Sequence, residues 1–116
     1  MKGDAVQTDA TGDDLLRTLA ALSNPHRLRI LASLAEGRNY VSRLARDLGM
    51  SRPLLHMHLQ RLEAAGLVTG EHEISEDGKA MRYIEVTPFE VHLTPAGVAH
   101  AVRTLTTDAG GAGDGR

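Results

Sequence analysis

The stretch that decides the fold runs Leu44-Ala-Arg-Asp-Leu-Gly-Met-Ser-Arg-Pro-Leu-Leu-His-Met-His-Leu-Gln-Arg-Leu62. It reads as two helices joined by a tight turn. Ala45 is the small residue such a pair needs where its helices touch. Gly49, four positions on, tolerates the left-handed backbone of the turn. Ser51 can cap the second helix, which reaches about Ala65 with Gly66 as its stop. Leu55, Leu59 and Leu62 span about 60° of that helix and form its inner stripe. The opposite face carries Pro53, Met57, Gln60 and Arg61, with Arg52 and His56 beside it.

Upstream, Leu15, Leu16, Leu19 and Leu22 recur at helical spacing, which predicts an amphipathic helix from Asp13 to about Leu22. Asp13 and Asp14 suit its N-terminal dipole. Asn24-Pro25 is a cap followed by a first-position proline. Leu28, Ile30, Leu31 and Leu34 then form a second helix, stopped by Gly37. A third helix is expected from about Tyr40 to Leu48. Downstream the period changes. Leu67-Val68-Thr69 opens a strand, Asp77-Gly78 signals a turn, and Met81 to Val86 is β-rich. Phe89 to Leu93 is expected to continue that strand. Thr94-Pro95 starts a fifth helix reaching about Thr107, with Val98, Ala101, Val102 and Leu105 on one face. The order is four helices, a β-hairpin and a helix. That is a mainly α winged helix-turn-helix, one domain over 13–107, between a disordered arm (1–12) and a Gly-rich tail (108–116).

The bulk properties fit. The chain has 116 residues, 3% aromatic and no Trp, so Leu, Val, Ile and Ala must build its core. It has no Cys, which excludes disulfides, thiolate metal sites and cysteine nucleophiles. No apolar run approaches the roughly 20 residues of a membrane span. The segment from Met1 to Thr11 lacks the apolar core of a secretory signal, so a cytoplasmic location is expected. The formal net charge is −2, yet its distribution is uneven. From Arg17 to Arg61 there are eight Arg against Glu36 and Asp47, a local balance of +6. From Leu62 to Asp77 there are five acids and no base.

The basic block surrounds the helix-turn-helix, and its residue types suit duplex DNA. Arg52 and Arg61 can pair with guanine and Gln60 with adenine. Ser51 or the helix start can meet phosphate. His56, Pro53 and Met57 share this face. Lys79 and Arg82 on the wing can reach an adjacent phosphate.

Three motifs then carry a resemblance. They are Leu22-Ser-Asn-Pro-His-Arg-Leu-Arg-Ile-Leu31, Leu44-Ala-Arg-Asp-Leu-Gly-Met-Ser51 and His58-Leu-Gln-Arg-Leu-Glu-Ala-Ala-Gly-Leu-Val68. The chain resembles the ArsR/SmtB family of winged helix-turn-helix regulators over about residues 13–107. The resemblance implies a homodimer formed by the first and last helices, bound to an inverted-repeat operator. Leu15, Leu16, Leu19, Val98, Val102 and Leu105 are the interface candidates. Their apolar faces agree, since a domain this small cannot cover both helices alone.

The same resemblance raises metal sensing. The family's cysteine-pair site is absent, because Asn39-Tyr-Val-Ser-Arg-Leu44 stands in its place. Its site on the last helix is matched only by His100, Asp108 and nearby His92, without the full spacing. His92 and His100 are the metal candidates, and imidazole with carboxylate suits nickel or zinc. His56 and His58 point about 200° apart on a helix, so they are no chelate. His56 is expected to face DNA and His58 to flank the core; His72 is expected in solvent. A hydrophobic effector, or no effector with a co-regulator protein as partner, stays open. The competing reading is a protein-interaction module, which predicts a recognition face free of Arg. An enzyme would need a nucleophile–base pair or a His-Glu motif on one helical face, and neither is present.

Overall fold

Caps and stops set the helices where the sequence places them. The computed structural model describes residues 11–106. Helix α1 spans Gly12–Leu22. Thr11 and Asp14 bond reciprocally at its start: Asp14 N donates to Thr11 Oγ1, and Thr11 N to Asp14 Oδ2. Helix α2 spans Pro25–Leu34, with the Asn24 side chain accepting from His26 N and Arg27 N. Helix α3 (Val41–Leu48) ends at Gly49, whose φ of 63° is left-handed. Met50 N donates to Ala45 O at 2.9 Å and closes that turn. Helix α4 (Arg52–Ala64) begins on Ser51, which accepts from Leu54 N. Helix α5 spans Pro95–Val102 and is capped by Thr94.

Strands β1 (Asn39–Tyr40), β2 (Val68–Ile74) and β3 (Ala80–Val86) form an antiparallel sheet in the order β1-β3-β2. The β2–β3 hairpin runs in register from Val68↔Val86 to Ile74↔Ala80, and closes through Ser75 N to Lys79 O. This is the winged helix-turn-helix expected above, with one strand more. Asn39 and Tyr40 pair with Ile84 and Tyr83, so α3 starts one residue later than expected.

Two further expectations are corrected. Residues Phe89 to Leu93 are not a strand. Pro88 before them lacks an N–H for a ladder, and all five side chains are exposed. Helix α5 stops at Val102, short of Thr107. Thr104 Oγ1 instead donates to Ala101 O and accepts from Gly12 N. The arm expected over 1–12 is corrected at its end, where Thr11 caps α1 and Gly12 is the helix's first residue; residues 1–10, the end at Thr107 and the tail from 108 lie outside the described residues.

The chain divides into two compact units. The central one, Ala20–Pro88, encloses a single core. Ile30, Leu34, Leu44, Leu55, Leu59, Leu62 and Ile84 are its largest fully buried side chains. The other holds the described parts of both ends. There α1 meets the chain after α5. Gly12 N donates to Thr104 Oγ1 at 2.8 Å, and Thr106 N to Asp13 Oδ1 at 3.0 Å. Gly12 is buried and nothing larger fits there: a Cβ would sit 2.2 Å from Ala101 O.

Candidate nucleic-acid interface

Helix α4 divides its two faces sharply. Leu55, Leu59 and Leu62 are wholly buried. Ser51, Arg52, Pro53, His56, Met57, Gln60 and Arg61 are all exposed. The seven residues expected to face DNA therefore stand together on one free surface. The Ser51 cap and Pro53 in the first turn fix where that surface begins.

An open groove of about 560 Å³ runs beside the start of α4. Arg52 and His56 line it from α4, Tyr40 from β1, and His72, Lys79 and Arg82 from the hairpin. The groove thus joins four of the expected DNA residues and adds Tyr40 and His72. Helical or strand periodicity alone does not reveal this, because the lining residues come from four separate pieces of chain.

Arg82 departs from its expected role. Its guanidinium is paired with Glu63 of α4, and both side chains are largely covered. Alternation explains this: Arg82 lies two residues before buried Ile84 and shares its face. It ties β3 to α4 while still lining the groove. Among the described residues no ion pair of Lys79 is found, and it is exposed at the turn. On the other face of the sheet, Arg38 bonds Glu73 at 2.9 Å and stacks 4.2 Å above the Tyr83 ring. Tyr40 meets Tyr83 edge-on.

His58, on the inner side of α4, is buried, with 2% of its surface exposed. Arg27 Nη1 lies 3.2 Å from His58 Nδ1. Arginine can only donate, so the ring hydrogen sits on Nε2, which has no partner. Burial, with Arg27, His26 and Arg61 nearby, holds His58 below the ordinary imidazole range. Arg27 also donates to Ala21 O at 2.7 Å, fastening the end of α1 to α2. His26 stacks 5.3 Å from His58, a structural position.

The remaining candidates lie at the ends. Leu16, Val98 and Val102 are 47%, 45% and 57% exposed. Leu15, Leu19 and Leu105 are half-buried. His92 and His100 are exposed. Among the described residues of one chain, no three His, Asp or Glu groups gather to hold a metal. Arg103 Nη1 lies 3.4 Å from His100 Nδ1. No described helix is long and apolar enough to cross a membrane.

The family model for bacterial regulatory proteins of the arsR family matches residues 24–69. The HTH-type transcriptional repressor SmtB of Mycobacterium tuberculosis is 39% identical over 93 residues, 80% of this chain and 63% of that protein. This chain therefore spans less than two thirds of that relative's length. MJ0229 of Methanocaldococcus jannaschii, an HTH-type transcriptional regulator, is 34% identical over 69% of this chain and 83% of its own. A similar solved structure is the homodimeric winged helix-turn-helix DNA-binding domain of Mb0332 from Mycobacterium bovis. Its TM-score is 0.58 at 32% identity, covering 64% of each chain.

Proposed function

This chain belongs to the ArsR family of bacterial regulatory proteins, and from that premise we propose that it regulates transcription as a homodimer bound to an inverted-repeat operator. One observation carries the reading. The outer face of α4 is free and bears Arg at both ends, while its inner face is wholly buried. A helix held by one face and open on the other suits insertion into a major groove. Arg52, Gln60 and Arg61 supply the donors and acceptor that base edges require. The homodimeric Mb0332 domain and the exposed valines of α5 support a second copy at the ends. The two α4 helices would then lie about one DNA turn apart.

The test is binding to a labelled promoter fragment from the protein's own locus, over a salt series. Affinity should fall steeply with salt as phosphate contacts are lost. Arg52→Ala and Arg61→Ala should each weaken binding by roughly tenfold or more while the dimer stays folded. Unchanged affinity in both would remove α4 as the reading element. A metal response would draw on ligands beyond the described residues of one chain, which gather no set of three His, Asp or Glu groups. Adding nickel or zinc to the same assay tests it: indifference to both would leave a regulator without a metal effector.

A further inference from the structure

The groove beside α4 mixes two kinds of cation. Arg52, Lys79 and Arg82 carry fixed charge, whereas His56 and His72 bring imidazole rings to the same lining. The two rings come from different elements, α4 and β2, and both are exposed. His72 stands directly opposite Arg82 in the hairpin register. We propose that His56 and His72 make DNA binding proton-linked, each taking up a proton as a backbone phosphate of the duplex enters this groove. The inference rests on the DNA-binding reading above and adds a regulator to it, the proton.

Imidazole is the side chain that changes charge between about pH 5 and 8. A phosphate oxygen within reach favours the imidazolium, which offers two N–H donors where the neutral ring offers one. Protons then bind together with the duplex, and affinity rises as pH falls. Nearby acids do not cancel the effect. Glu63 is engaged by Arg82. Glu71 and Glu73 alternate to the opposite face of β2, where Arg38 holds Glu73. Asp77, at the tip, accepts from the Ser75 hydroxyl. Tyr40 also borders the groove, and its ring lies edge-on to Tyr83. Buried His58 works in the opposite direction, because charging it destabilises the fold.

Fluorescence anisotropy with a labelled duplex of mixed sequence tests this at about 50 mM salt, where backbone binding is strong. The wild-type protein should bind roughly tenfold more tightly at about pH 6 than at about pH 8. The His56→Gln/His72→Gln variant should lose most of that slope. The His56→Lys/His72→Lys variant should also be flat, but with the tight binding kept at the higher pH. Circular dichroism of each variant confirms that it is folded. A slope that survives in the Gln variant overturns the proposal. Equal wild-type affinity at both pH values overturns it and leaves the DNA-binding reading standing. Failure of the wild-type protein to bind this duplex at either pH overturns the proposal, and failure on the promoter fragment as well overturns the DNA-binding reading.

Discussion

The central unit and the two ends treat their apolar residues in opposite ways. Between Ala20 and Pro88, leucines from three helices and Ile84 of β3 close on one another and are almost wholly covered. In the described parts of the ends, α5 buries no residue, and Leu16, Phe89, Val91, Leu93, Val98 and Val102 stay exposed. The two units are stabilised differently. The first is held by its closed apolar core. The second is held within one chain by hydrogen bonds of Gly12 and Asp13 to Thr104 and Thr106, with apolar surface left over.

Substitutions can break this contrast at either side. The largest effect belongs to the closed core. Leu59→Ala should cost about 2–5 kcal/mol, read by denaturant unfolding. A cost under about 1 kcal/mol would mean that the core is loosely packed. At the ends, Val102→Asp should leave the central unit folded but weaken self-association by ~2 kcal/mol, roughly thirtyfold. Sedimentation at several concentrations checks this, and an unaltered dimer would show that α5 is not the contact. Gly12→Ala drives a methyl into Ala101 O and should lower stability by about 1–2 kcal/mol. An unshifted melting curve would contradict that close approach.

Two smaller tests sharpen the account of the central unit. Glu63→Gln leaves the largely covered Arg82 guanidinium without its anion, and should cost about 1 kcal/mol. An unchanged denaturation midpoint would make this pair incidental. The least effect is a pH slope. The fold keeps His58 neutral, whereas the unfolded chain takes up a proton there as pH falls through the ordinary imidazole range. The unfolded state then binds more protons, so stability drops below about pH 6.5 and is level above it. His58→Gln should reduce that drop, and an identical slope in both proteins would refute the assignment.

How much of this was legible depended on the range of the interactions. Helix starts were readable because caps act over three residues: Asn24-Pro25, Ser51 and Thr94-Pro95 each begin a helix in the structure. The Gly49 turn and the Asp77-Gly78 hairpin were local in the same sense. Strand β1 was not readable, since Asn39 pairs with Ile84 across more than forty positions and two residues carry no period. The end of α5 was set by Thr104 bonding to Gly12, another distant contact. On the candidate interface, the exposed face of α4 followed from its heptad-like leucines. The partner of Arg82 was within reach of the alternation that buries Ile84. The joining of His72 and Tyr40 to one groove needed the folded chain.

Strand β1 sits immediately before Val41, so its hydrogen bonds to β3 and the first turn of α3 share one short piece of backbone. The hairpin is therefore hinged to the helix-turn-helix at two points, through β1 ahead of α3 and through the turn from α4 into β2. A body held at two points resists tilting in a way that a single-stalked flap does not. The spacing between wing and α4 becomes a property of the main chain, and exchanging side chains at the hairpin tip leaves that spacing as it was.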